Sequence, residues 1–531
     1  MDGGPGTAGP VRALPSPDIT RLPMIMITAE EAYPVFEALF LEARHEIRMG
    51  FRIFDPSTPL YSEAGRAVGR DWFDMLVHTM HRGVNIELTL ADFDPVVGTE
   101  HHRLTWRSMR MLLAAREVAR AEGASGSLRA VAALHPARIS PMAKLALWSG
   151  IRAEMRERIA RLIGMDESVR ARALSEMPGF AGWILGAGAA MRRVRWPVPD
   201  LVPATHHQKL AVFDRRRLYI GGLDLNARRF DTKAHDRAAP QTWHDIQVLL
   251  DGPAAMEAHD HLGRFLDEVA LRRPVAPRGA RLLRTLSTVR RFRGVSMAPR
   301  AAVAEIAAEH MRGIAGAERL IYLESQFFRD RDLARAMARA ARTNPSLTCI
   351  LILPAAPEEV AFQRREKIDM RYGEFLQARC IRKLREGFGE RLFVGTPVRP
   401  VQGGTGGRDT FLSAPIVYVH AKASFFDDRL CILSSANLNG RSMRWDTEAG
   451  VSFRDPGVVR AFRERCFDHW LPADAPRAAR EPATAVRTWS RIAAANAALP
   501  PQRRRGFIVP YDDDPGAAFG ADLPGVPEQM V

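Results

Sequence analysis

One eight-residue pattern occurs twice in this chain and constrains its fold more than any other feature. His207-Gln208-Lys209 is followed by four residues and Asp214, and His420-Ala421-Lys422 by four residues and Asp427. Both copies lie on strand-like runs, HQKLAVFD leading into RLYIGG and HAKASFFD into RLCILSS. Alternate side chains of a strand share a face, so a His and a Lys two apart address one ligand. By the same parity Asp214 and Asp427 point the other way and brace the motif. Six residues after each Asp comes a small pair, Gly221-Gly222 and Ser434-Ser435, which would let the backbone approach a phosphate closely.

The remainder of the chain repeats around these landmarks in alternating helix and strand patterns, the mark of an α/β protein. In the first half, a helix over Ala29 to Ala43 leads into an apolar strand, Ile47 to Phe54; a helix over Arg66 to Arg82 precedes the strand Val84 to Leu90. In the second half, a helix over Ala302 to Ala317 leads into the strand Arg319 to Phe328. A helix over Leu333 to Arg342 then precedes the strand Leu347 to Leu353. We read this order as an internal duplication. Leu90 and Leu353 are 263 positions apart, but His207 and His420 only 213. The first half therefore holds about 50 surplus residues, placed in an Arg-rich helical insertion at about 100–200 that covers the site or decorates the surface. The boundary between halves is expected in the Pro/Gly-interrupted stretch Arg272 to Gly294, giving units 1–290 and 291–531. Beyond Leu471 a Pro-, Ala- and Arg-rich tail should wrap the surface or fray.

Length and composition permit this plan. At 531 residues, 46% hydrophobic and 26% charged, the chain can bury two or three cores and is neither disordered nor fibrous. Cys349, Cys380, Cys431 and Cys466 are scattered without CxxC spacing, which excludes a disulfide scaffold and a zinc ribbon. The net charge of +15 points to an anionic partner, although 70 Arg against 6 Lys also has the look of codon bias. No basic region followed by an apolar stretch opens the chain, so no secretory signal is expected. Pro178 to Met191 is too short to span a bilayer and reads as a helix or hairpin within the insertion; with Arg192, Arg193 and Arg195 it suits a membrane surface. A cytoplasmic protein with peripheral membrane contact is the expectation.

Paired His and Lys suit attack on a phosphodiester without a metal or cofactor. The lysines would hold the non-bridging oxygens, one histidine would attack phosphorus, and the other would protonate the leaving alcohol and later activate water. His101-His102 and His259-x-His261 show no companion carboxylates at metal spacing and read as surface residues. His206 is out of register with His207, and Trp243 and His244 fit a pocket lining or a core equally well.

The duplicated motif resembles the hallmark of the phospholipase D superfamily, and the resemblance extends from about Glu37 to Trp470. IYLESQFF (321–328) is similar to a strand bearing a Glu-x-Gln signature, TWHDIQVLLDGPA (242–254) to a Trp-His-Asp segment, and FDPSTPL (54–60) fits as well. These secondary motifs favour the lipid-cleaving branch over the shorter nucleases. The resemblance implies two similar α-β-α sandwich domains with one active site at their interface. It implies His207 as nucleophile and His420 as general acid and base, with Asp245 and Glu448, a carboxylate downstream in each repeat, orienting the histidines. Lys209, Lys422 and Asn437 would contact phosphate, and Asp214 and Asp427 complete the catalytic motifs. The first copy departs by carrying Asp224 where the second has Asn437, so the phosphate contacts are expected to be asymmetric. The implied substrate is a glycerophospholipid, cleaved to phosphatidic acid and a head-group alcohol, with transfer when an alcohol replaces water. A cardiolipin-synthase-like transferase and a nuclease are the alternatives. Aromatics at 8%, not interleaved with basic residues, speak against nucleic acid.

Overall fold

The computed structural model describes residues 14, 20, 22–195, 197–290, 292, 294, 299–363, 367–404 and 407–530. Its two main sheets repeat one order of strands. The first runs Met24–Ile27, Ile246–Asp251, Arg217–Gly221, Leu210–Phe213, Glu46–Phe51, Asn85–Ala91, Leu128–Ala133. The second places Leu282–Thr288, Glu448–Phe453, Leu430–Ser434, Lys422–Phe426, Leu320–Ser325, Thr348–Ile352 and Leu392–Pro397 in the same sequence, with one extra strand at each edge. In both, the last three strands of this series are parallel and the others antiparallel.

Each sheet is covered on both faces. Helices Thr28–Glu42, Trp72–His81 and Thr99–Ala121 share a core with the outer face of the first sheet, built on Phe36, Phe40, Trp72 and Leu88. Helices Glu305–Gly316, Arg331–Thr343 and Ile368–Phe388 do the same for the second. On the opposite faces, Pro253–Leu262 and Pro456–Trp470 contribute to a single core that takes in strands of both sheets. The two helix–sheet–helix sandwiches are therefore fused through apolar packing, and their seam lies at the ends of the motif strands. No helix among the described residues is long and apolar enough to cross a membrane.

Several sequence expectations need correction. The unit boundary cannot fall at 290, because Leu282–Thr288 pairs with Glu448–Phe453 and so belongs to the second sheet. It is the counterpart of Met24–Ile27, which pairs with Ile246–Asp251. The insertion is shorter than 100–200. Helix Thr99–Ala121 packs on its own sheet and Leu128–Ala133 is a sheet strand, so the surplus begins after Ala133. Ala133 lies 74 positions before His207 and Pro397 only 23 before His420, which accounts for the excess. The inserted helices carry a small core of their own (Ile151, Met155, Ile159, Leu162, Phe180), and a Glu154–Lys367 ion pair at 2.9 Å ties them to the second repeat. Pro178 to Met191 forms a helical turn, Pro178–Ala181, and one side of a short hairpin.

Ala302–Ala304, expected to open a helix, instead belong to the strand Arg300–Ala304, which pairs at the sheet edge with Leu282–Thr288, and the helix starts at Glu305. The expected helix from Arg66 breaks at Gly69, and a second one starts where Asp71 caps the N–H groups of Phe73 and Asp74. The tail does not fray. Ala485–Ala498 buries Trp489, and Ile508–Pro510 closes the second sheet beside Leu392–Pro397.

Both motif aspartates turn away from the seam. Asp214 accepts N–H bonds from Arg44, His45 and Glu46 at 2.8–3.0 Å, and Asp427 from Glu318, Arg319 and Leu320 at 2.8–2.9 Å. Each clamps the segment entering the central parallel strand of its sheet, from a positive φ (49° and 53°) that Asp tolerates better than most residues. Burial acts to raise the carboxyl of Asp214, and the three backbone donors outweigh it and hold the group below the ordinary range. Asp427→Ala should cost about 2–3 kcal/mol, since three backbone donors lose a charged acceptor. Asp427→Asn, with one acceptor oxygen left, should cost less. Urea unfolding midpoints measure both.

Candidate active site

The seam is made by two short bridges that exchange backbone between repeats. His206 pairs with Thr447 and His244 with Val419, both parallel. The N–H of His207 donates to the Thr447 carbonyl at 2.8 Å, and that of His420 to the His244 carbonyl at 2.7 Å. Each histidine is thereby placed beside a carboxylate at the start of a strand of the other repeat: Glu448 opens Glu448–Phe453, and Asp245 immediately precedes Ile246–Asp251. His207 Nδ1 lies 3.0 Å from Glu448 Oε1, and His420 Nδ1 2.6 Å from Asp245 Oδ2. The orienting carboxylates come from opposite repeats, a crossing that residue spacing does not reveal.

The lysines complete the arrangement from the same strand face. Lys209 Nζ donates to the His207 carbonyl at 2.6 Å and sits 3.4 Å from both ring nitrogens. Lys422 Nζ donates to the His420 carbonyl and lies 2.9 Å from His420 Nδ1. Every one of these groups is buried except His207, whose side chain is 12% exposed. His420 is covered by the Trp243 ring, with centroids 4.5 Å apart. Asn437 is buried at the seam, and its Oδ1 has no hydrogen-bond partner. Its counterpart Asp224 instead accepts the Ile53 N–H at 2.9 Å. The asymmetry expected from Asp224 against Asn437 is thus a difference in bonding.

Burial governs the electrostatics. Desolvation, followed by Lys209 and Arg52, holds His207 well below the ordinary histidine value. Desolvation, then Lys422 and Arg229, does the same to His420. Burial pushes Asp245 up to about 7 and Glu448 up to about 8, against the opposing pull of a lysine in each case. Burial also lowers Lys422 to about 7. Burial thus favours the neutral form of both partners in each carboxylate–imidazole pair, and a proton shared on the Nδ1 side satisfies them.

Sequence reasoning missed three guanidinium groups here. Arg52 acts on His207, Arg229 on His420 with its guanidinium 3.5 Å above the Trp243 ring, and Arg441 on His207 while paired to Asp446 at 2.9 Å. Arg52 had a signal, because strand pairing aligns it with Gln326 of the Glu-x-Gln segment. That segment works behind the site. Glu324 Oε2 lies 2.7 Å from His244 Nε2, and Gln326 donates to the Tyr418 hydroxyl at 2.8 Å. Trp243 and His244 are both buried. The histidines read as surface residues are corrected: His102, His259 and His261 are buried and His101 half-buried, because they sit on inward faces of their helices. His102 Nδ1 also has a carboxylate partner, Asp92, at 2.7 Å.

The small pairs have a different purpose from the one expected. A Cβ on Gly222 would lie 2.0 Å from Asp245 Oδ1, and Ser435 at the matching position donates its hydroxyl to Glu448 Oε2 at 2.5 Å. They make room for, or hold, the orienting carboxylates.

The family profile described as "Cardiolipin synthase, PLD-like domain" matches residues 311–470, which hold the second motif and Glu448. Phospholipase D gamma 1 of Arabidopsis thaliana is 22% identical over 386 residues, covering 48% of this chain and 44% of that protein. Phospholipase D gamma 3 of the same plant is 22% identical over 387 residues with the same shares. The chain thus spans less than half the length of these curated relatives. Among solved structures, a phosphatidylserine synthase from Haemophilus influenzae Rd KW20 is 13% identical at a TM-score of 0.41, covering 83% of this chain and 84% of that one. A polyphosphate kinase from Porphyromonas gingivalis is 12% identical at the same score, covering 83% and 46%.

Two matched repeats, each lending a His–Lys pair to one basic seam, define a two-repeat α/β protein with a composite site. The chain belongs to the phospholipase D superfamily.

The Gly222 geometry yields a test. Gly222→Ala must displace Asp245 from His420 while leaving Glu448 and His207 alone. The low-field imidazole N–H resonance of His420 should vanish from proton NMR spectra, with that of His207 retained.

Proposed function

We propose that this protein is a phospholipase D-type phosphodiesterase that cleaves glycerophospholipids to phosphatidic acid and a head-group alcohol through a covalent phosphohistidine. The observation that carries this reading is the pair of crossed imidazole–carboxylate contacts, each with its own lysine. A double displacement at phosphorus needs one nucleophilic nitrogen and one proton donor, and the seam supplies a matched pair.

His207, the more accessible ring, attacks phosphorus while Glu448 holds its Nδ1. Lys209, Lys422 and Asn437 hold the non-bridging oxygens, and the surrounding arginines offset the charge that develops there. His420 gives its proton to the departing alkoxide, then takes one from the incoming water as that oxygen attacks the phosphohistidine. Asp245 orients that ring throughout. Asp214 and Asp427 support the reaction only through the segments they clamp. Peripheral contact with a membrane fits the exposed Met142 and Leu145 on the helix Pro141–Ala146, which lie in a segment rich in arginine.

The match to a cardiolipin synthase-described profile favours one second reading, a phosphatidyltransferase. It shares the first half-reaction and differs in the acceptor. Head-group release from a phospholipid panel, in EDTA and with or without a phosphatidyl alcohol as acceptor, separates the two. We expect chelator-resistant release of the alcohol into water. Loss of turnover in EDTA with circular dichroism and bound-metal content unchanged, and recovery on adding a divalent ion, would overturn the metal-free mechanism, and release only when the acceptor is present would select the transferase.

The two histidines should separate by leaving group. His420→Ala should recover the first step on a p-nitrophenyl phosphodiester, whose phenolate needs no proton, and should accumulate an adduct on the His207 peptide in acid-quenched mass spectrometry. His207→Ala should form none.

The lysine adds a pH dependence. Lys422, lowered to about 7 by burial, is charged below that value and neutral above it. kcat/KM should therefore fall as pH rises through about 7. In Lys422→Arg the charge persists, so that limb should move upward, while the wider planar head misplaces the phosphate and costs on the order of a hundredfold in turnover.

A further inference from the structure

Directly behind His420 lies a second histidine cluster that the proposed reaction does not use. His244 precedes Asp245, His235 comes from the loop before it, and His469 comes from the helix Pro456–Trp470 of the other repeat. One ring nitrogen of each lies within 4.8 Å of one from the others. His235 Nε2 and His469 Nε2 are 2.9 Å apart. The ring centroids are separated by 4.8 Å (His244–His469), 5.0 Å (His235–His469) and 5.9 Å (His235–His244). Three imidazoles binding one tetrahedral ion through nitrogens at 2.0–2.1 Å would have centroids about 5 Å apart.

Two further features separate this cluster from an ordinary buried hydrogen-bond network. The first is the outer shell. His235 Nδ1 is held by Asp231 Oδ2 at 2.6 Å and His244 Nε2 by Glu324 Oε2 at 2.7 Å, the carboxylate–histidine arrangement that orients metal-binding rings. His244 is fully buried, and its remaining nitrogen, Nδ1, has no hydrogen-bond partner. The second is charge. Asp231 and Glu324 are fully buried, and their ion-pair partners are these same histidines. The nearby cations Lys233 and Arg465 are both paired with Glu31. Two buried carboxylates balanced by one divalent ion and three neutral rings leave no net charge to bury. Burial, with its neighbouring histidines next, holds His469 well below its ordinary value, and burial lowers His244, so both favour the neutral form a metal needs.

We propose that His235, His244 and His469 bind one divalent transition-metal ion of the zinc class, which ties the two repeats together behind the active-site seam. Three imidazoles select zinc-like ions over magnesium or calcium. His469 is half-buried, so the ion enters from its side, and a water completes the coordination there. Binding at both Nε2 atoms moves the proton of the His235–His469 contact to the other ring nitrogen of His469, so all three rings stay neutral. The ion's role is structural, and its binding is independent of what the seam catalyses.

The test is metal content and spectroscopy of the untagged full chain. After expression with zinc and exhaustive dialysis, elemental analysis should find about one zinc per chain. Cobalt exchanged into the same site should give the strong visible absorption of a four- or five-coordinate ion. His235→Asn keeps a residue that tolerates the positive φ of 50° there, and His469→Ala changes a half-buried helical position. Both should retain native circular dichroism and hold less than ~0.1 zinc per chain. Wild-type protein that takes up no zinc, or cobalt with only six-coordinate absorption, overturns the proposal without recourse to any variant. Full occupancy retained in both variants overturns it as well, by placing the ion elsewhere.

Discussion

The crossed pairing of imidazole and carboxylate at the seam is the interaction on which the rest of the site depends. A carboxylate taken wholly out of water strongly favours its neutral form, and a buried imidazole does the same. Side by side they satisfy each other with one proton. The backbone bridges His206–Thr447 and His244–Val419 set that contact by holding the strands of one repeat against those of the other. The lysines, the small pairs and the covering Trp243 are all arranged around these two contacts.

The repeats agree in architecture but differ where chemistry needs a difference. Glu448 takes a hydroxyl from Ser435, while Asp245 packs against Gly222 and takes the Ile246 N–H instead. His207 is partly open, and His420 lies beneath an indole. Gly50 and Glu324 occupy matching positions, and only Glu324 reaches a histidine behind the site. A duplicated fold supplies two copies of each part, and such substitutions let the copies specialise.

Much of this was legible in residue order. Period-two patterning placed His207, Lys209, His420 and Lys422 on shared strand faces and turned Asp214 and Asp427 away. The arithmetic of the repeats located the insertion to within a few tens of residues. Long-range pairing was not legible. Ala302–Ala304 read as the start of a helix because Ala-rich composition favours it, and pairing with the edge of Leu282–Thr288 draws them into a sheet. His102 and His261 read as surface residues because histidine is equally at home in water and against a buried partner. The choice between them is made by Asp92, ten residues before His102 and just past the strand Asn85–Ala91, and by Gln208, 53 residues before His261. The crossing of Asp245 and Glu448 was hidden for the same reason, since nothing in either repeat's spacing says which histidine each carboxylate meets.

The fused core has a mechanical consequence. Strands of both sheets share one apolar cluster and exchange backbone hydrogen bonds across the seam, so the halves cannot swing apart like jaws. A displacement of one ångström would stretch both histidine contacts together. The inserted helices stand apart from this fused core: they carry a small core of their own and, among the described residues, meet the opposite half through the Glu154–Lys367 ion pair.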